Sequence, residues 1–189
     1  MVRGPFAGTL LDGPSASSIL VRIVDGDPLG IEPICRALLR ERALLVDSER
    51  AITTTFAFIA RRAVSASGTI ELGPWLARVA AEALDDMLRD DRESAEQSER
   101  IEPDDLRYAA FAEVLGLTTG AAARACAAFN RLPDRVRKDF WEATREGRSM
   151  DEVGRTSDRT AQEVRVNVER ALRTLARQCD PGAQSGADA

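Results

Sequence analysis

Apolar residues recur three or four positions apart along nearly the whole chain, and no stretch alternates as a half-buried strand would, so the pattern predicts an all-α protein. A first helix is expected after Ser17, carrying Ile19, Leu20, Ile23 and Val24 and ending at the turn Gly26-Asp27-Pro28. A second follows from about Leu29, with Ile31, Ile34, Cys35, Leu38 and Leu39 on one stripe. A third starts near Ser48 and turns Ile52, Thr55, Phe56, Ile59 and Ala63 inward. Residues 65–73 read as a Ser/Gly loop. Pro74 then opens a fourth helix, a position where its missing N–H has no intrahelical partner to lose. The inward face of that helix is Trp75, Leu76, Val79, Ala80, Ala83, Leu84, Met87 and Leu88.

From residue 90 to residue 105 the chain is charged and polar, which reads as a solvated linker and places a domain boundary there. Beyond it, residues 106–115 and 119–131 form two helices separated by Gly116 and Gly120. Pro133 opens another, with Val136, Phe140 and Ala143 inward and Gly147 as its stop. Ser149-Met-Asp-Glu152 and Thr160-Ala-Gln-Glu163 are both capping boxes, in which hydroxyl and carboxylate satisfy each other's orphan backbone donors. Two helix starts that close together, with a tight turn over residues 156–159, make a helix-turn-helix. Its longer helix, residues 161–176, is expected to bury Val164, Val168, Ala171, Leu172 and Leu175. Gln162, Arg165, Val166, Glu169, Arg170 and Arg173 are left outward or flanking.

Composition narrows the function. The chain has 189 residues, 44% hydrophobic and 30% charged, which suits two small globular domains better than disorder. It contains no histidine, which removes Ser-His and Cys-His nucleophile pairs and histidine-ligated metals. Cys35, Cys126 and Cys179 are too scattered for a disulfide framework or a zinc site, and Cys35 and Cys126 read as core residues. Asp85, Asp86, Asp90 and Asp91 invite a magnesium reading, but no second acidic motif completes such a site, and a solvated helix end accounts for them. No apolar run is long enough to span a bilayer and the start lacks a signal-peptide pattern, so a cytoplasmic protein is expected. The net charge of −5 does not favour nucleic acid, but between Arg155 and Arg177 six arginines face three acids, a local charge of about +3.

The order and spacing of these pieces resemble the extracytoplasmic-function sigma factors, small two-domain members of the bacterial primary sigma superfamily, over residues 17–177. Ile19-Leu20-Val21-Arg22, then Gly26-Asp27-Pro28 and the run IEPICRALLRERA look like the family's two opening helices. Asp47 to Phe56 looks like the helix that docks on the clamp helices of the largest polymerase subunit. Trp75 to Asp90 resembles the helix after the promoter-melting loop, with Trp75, Leu76, Arg78, Ala80, Asp86 and Leu88 in register. Leu132 to Phe140, Glu146-Gly147, Ser149, Glu152-Val153, Thr160, Val164-Arg165 and Arg170-Ala171 follow the family's reader of the minus-thirty-five element.

This resemblance implies a specificity factor that directs core RNA polymerase to promoter DNA and performs no catalysis. Residues 15–92 would be a region 2-like bundle for polymerase binding and the minus-ten element, 93–105 a linker, 106–178 a region 4-like helix-turn-helix domain and 179–189 a disordered tail. Polymerase contact is expected at Asp47, Glu49, Ile52 and Phe56, the last two shared with the core. On DNA, Gln162 and Arg165 are expected nearest the bases and Arg159, Arg170 and Arg173 on phosphates, with Thr160 as the helix cap. Core polymerase, promoter DNA and an anti-sigma factor are the partners implied, for a monomer without cofactor, metal or membrane insertion.

The chain also departs from the family pattern. Thr53 and Thr54 stand where the docking helix carries a glutamine and an acid, and Ala81 and Glu82 where the family has arginine and asparagine. The fourth helix ends in RDDRES instead of a basic cluster, and its acids would repel phosphate near the minus-ten element. Thr156, Ser157 and Arg159 replace apolar residues, and Asp158 replaces the turn glycine, a position that aspartate tolerates. These departures suit an alternative, a sigma-like interaction protein that engages an anti-sigma factor or polymerase without melting promoters.

Overall fold

A computed structural model of the protein describes residues 26–27, 29–65, 71–96 and 108–179. Among the described residues the structure is all-helical: α1 (Ile31–Glu41), α2 (Ser48–Val64), α3 (Leu72–Glu96), α4 (Ala109–Leu115), α5 (Thr119–Asn130), α6 (Asp134–Thr144), α7 (Met150–Thr156) and α8 (Ala161–Cys179). The helix expected after Ser17, its contents Ile19 to Val24 and the tail beyond Cys179 lie outside them. Those within Met1–Leu38 and Ser48–Met87 form one compact unit, and those within Leu39–Asp47 and Leu88–Ala189 a second. The division falls inside α3, after Met87, and α3 runs on to Glu96, so residues 93–96 of the expected linker are helical. Arginine, glutamate and alanine are good helix formers, and a charged composition does not by itself end a helix. Residues 97–105 are not described.

The first unit is built on α1, α2 and most of α3. The Asp27 carboxylate starts α1 by accepting from the N–H groups of Ile31 and Glu32, at 2.7 and 2.8 Å. Leu29, Ile31, Phe58, Ile59, Ala63, Leu76, Val79 and Ala83 form the core, with Ile34, Phe56, Leu72 and Trp75 packed on its edge. Thr55, fully buried, donates to the Ala51 carbonyl at 2.7 Å and lies 3.7 Å from the Cys35 thiol, so neither polar atom is stranded. α3 begins at Leu72, two residues before Pro74, and the ring is accommodated because the first turn requires no N–H from it.

In the second unit α8 is the central element and packs on α5, α6 and α7. Its core joins Phe129, Leu132, Val136, Phe140, Val153, Val164, Val168 and Ala171, with the Phe129 and Phe140 rings in edge contact at 5.1 Å. A smaller cluster of Tyr108, Ala112, Ala122, Ala123 and Cys126 seats α4 on α5. Small side chains along α5 allow that close approach. Leu45 belongs to this unit, and the Asn130 amide holds its backbone at both ends, accepting from Leu45 N and donating to Leu45 O at 2.9 Å each. α4 ends at Gly116, whose φ of +63° is open to glycine without steric cost.

Candidate nucleic-acid interface

α7 and α8 make the helix-turn-helix that the two capping boxes foretell. Ser149 accepts from Glu152 N while the Glu152 carboxylate accepts from Ser149 N. Thr160 and Glu163 repeat the exchange at the start of α8, at 3.2 and 2.8 Å. Hydrogen bonds from the backbone, then the hydroxyl, of Ser149 and Thr160 hold the Glu152 and Glu163 carboxyls below the usual glutamate range. Between the helices the chain turns through Asp158 at φ +54°, the left-handed conformation that aspartate accepts. Thr156 and Ser157 donate their hydroxyls to the carbonyls of Glu152, Val153 and Gly154 and so satisfy the open end of α7. Gly154 makes the corner tight: a Cβ there would lie 2.6 Å from the Arg159 carbonyl.

Arg159 does not face outward. Its guanidinium grips the Asp139 carboxylate with both terminal nitrogens at 2.5 Å, and its Nε donates to Ser157 Oγ at 3.1 Å. Asn167 donates a further hydrogen bond to Asp139 at 2.7 Å. Asp139 is 1% exposed, so this is a buried carboxylate on α6 held by the turn and by α8. Arg159, expected on phosphate, is therefore committed inside the unit. Asp139 and Asn167 were not singled out by pattern. A signal existed: Asp139 lies on the inward stripe of Val136, Phe140 and Ala143, where an unpartnered carboxylate would be costly.

The other residues expected at DNA divide as follows. Thr160 is exposed, and its N–H and hydroxyl serve the cap. Gln162, Arg165, Arg170 and Arg173 are exposed on α8, on the side away from Val164, Val168 and Ala171. Arg173 pairs with Glu169 at 3.5 Å, a contact worth little at two exposed side chains. Arg165, Arg170 and Arg177 form no ion pair among the described residues. Leu172, expected inside, is 50% exposed. It follows Ala171 by one residue and is carried about 100° round the helix, off the packed side.

On α2, Ile52 is 8% exposed and Phe56 packs on the core edge, so both serve the interior as foreseen. Glu49 is 80% exposed at its side chain and meets Arg36 at 3.3 Å. Asp47 is half-buried, one residue before α2. The outward line of α2 is Glu49, Thr53, Ala57 and Arg61.

No helix among the described residues is long and apolar enough to cross a membrane. No protein-family model matches the chain, and no curated protein and no solved structure matches it.

Proposed function

We propose that this chain is a divergent sigma-type specificity factor whose second unit reads promoter DNA with the outward face of α8 and whose first unit engages core RNA polymerase. One observation carries the reading: a doubly capped helix-turn-helix presents Arg165, Arg170 and Arg177 without acid partners among the described residues. A helix that serves only as packing has no need of three uncompensated arginines on its solvent side. The local excess of positive charge lies in a chain whose overall charge is −5, which concentrates phosphate affinity there. The exposed acid Glu49 on α2 suits a basic partner such as the clamp helices of polymerase.

A second reading draws on the far end of α3, on both sides of the division after Met87. Asp85, Asp90 and Glu93 are exposed along the end of α3, where they oppose phosphate. They favour an adaptor that binds polymerase or an anti-sigma factor without opening DNA. Run-off transcription with purified core polymerase and a genomic promoter library separates the two. Chain-dependent transcripts from a defined promoter set are expected; polymerase binding with no such transcripts would leave the adaptor reading in place.

A further inference from the structure

Val166 is 49% exposed, although valine in a capped amphipathic helix ordinarily turns to the core. It shares the outermost line of α8 with Gln162, Glu169 and Arg173, spaced at helical intervals and all exposed. The acids beside it are already engaged, Glu163 by the Thr160 cap and Glu169 by Arg173. The side chains of Gln162 and Arg170, one turn before and one turn after, form no hydrogen bond or ion pair among the described residues. An isopropyl group thus stands between a free amide and a free guanidinium.

We infer that Val166 reads a thymine, packing its methyl groups on the C5-methyl of one base; this rests on the reading of α8 as a major-groove helix. The chemistry selects the ligand. In the major groove the base edges present hydrogen-bond donors and acceptors everywhere except at the thymine methyl, which is the apolar feature there. Gln162 and Arg170 flank it with the side chains suited to adenine and guanine edges or to phosphate. A protein groove would call for a continuous apolar stripe at i, i+3, i+4 and i+7. Val166 has none: its neighbours at those intervals are Gln162, Glu163, Glu169, Arg170 and Arg173. Leu172, the other exposed apolar residue on α8, lies about 120° away round the helix.

The test uses the full chain and a duplex selected from a random library. Each thymine is replaced in turn by deoxyuridine, which lacks only the C5-methyl, and binding is measured for wild type and for Val166→Ser. One replacement is expected to weaken wild type by about fourfold, the worth of one buried methyl group, and to leave Val166→Ser unchanged. The variant's melting temperature, expected to match wild type because the site is half-exposed, excludes a folding loss. Deoxyuridine replacements that are silent throughout the selected duplex, or a penalty that persists in Val166→Ser, would overturn the thymine assignment while DNA binding stands. If no duplex is enriched over random DNA, the major-groove reading and the assignment fall together. A wild-type dimer in sedimentation that Val166→Ser dissolves would give this face to a second copy of the chain.

Discussion

α2 and α8 are both amphipathic helices proposed to meet a macromolecular partner, and they dispose of their functional residues in opposite ways. On α2 the apolar pair expected at the partner, Ile52 and Phe56, is drawn into the core, and the exposed line is left to Glu49, Thr53, Ala57 and Arg61. On α8 the core takes only Val164, Val168 and Ala171, with Leu175 at its edge, and a wide arc of Gln162, Arg165, Val166, Arg170 and Arg173 stays outside. The difference follows from what each helix packs on. A helix covered on several sides, as α8 is by α5, α6 and α7, can still present a working face if the buried arc is narrow and its residues small. The lesson concerns arginines as well. Arg159 and Arg165 are six residues apart and both expected at DNA, yet one is locked on Asp139 and the other stands in solvent.

The sharpest break in that contrast is Arg159→Ala, which leaves the Asp139 carboxylate, 1% exposed, without its cation and with the Asn167 hydrogen bond. A loss of about 3–5 kcal/mol is expected in urea unfolding, and Asp139→Ala should cost about as much, since each leaves half of a buried ion pair. The double change Asp139→Val with Arg159→Ile should recover most of it, because a well-packed apolar pair replaces a buried ion pair at little or no cost. Arg165→Ala, by comparison, should leave the unfolding midpoint within about 0.5 kcal/mol of wild type. Equal effects at Arg159 and Arg165 would remove the distinction between them.

A smaller effect is expected at the start of α8. Thr160→Ala should destabilise by about 1 kcal/mol through loss of the cap. The pH dependence gives a second readout. Because hydrogen bonds hold the Glu163 carboxyl below its unfolded value, the box contributes fully above the ordinary glutamate range and is lost as pH falls through the depressed folded value. Glu163→Gln, which removes the titrating carboxyl itself, should therefore flatten the acid limb of the stability curve. An acid limb unchanged in the variant would mean that other carboxyls set it.

Local signals reached far into this fold. The capping boxes, Pro133 and Gly147 mark helix ends that the structure bears out closely, because each acts through bonds to its own neighbours. Cys35 and Cys126 are buried as expected. What pattern alone did not give was direction. Leu172 is apolar and yet half-exposed, and Arg159 is charged and yet internal, because both depend on which side of α8 meets α6. The clue to Arg159 lay in three positions, of which the pattern singled out Arg159 alone: Asp139 on an inward stripe, Arg159 in the turn and Asn167 between Val164 and Val168. Only their meeting in space makes one network of them. The end of α3 was hidden for another reason: its charged residues look like a linker but are also good helix formers.

The central proposal is that the outward face of α8 meets DNA phosphate through arginines without acid partners among the described residues. The direct measurement is binding of the full chain to a selected duplex over a series of salt concentrations, for wild type and Arg170→Ala. The account predicts a log–log salt dependence whose slope falls in magnitude by about one in Arg170→Ala, with affinity lowered for all sequences alike. Affinity and slope that are both unchanged in Arg170→Ala, and again in Arg165→Ala, would contradict it and leave α8 as a packing element.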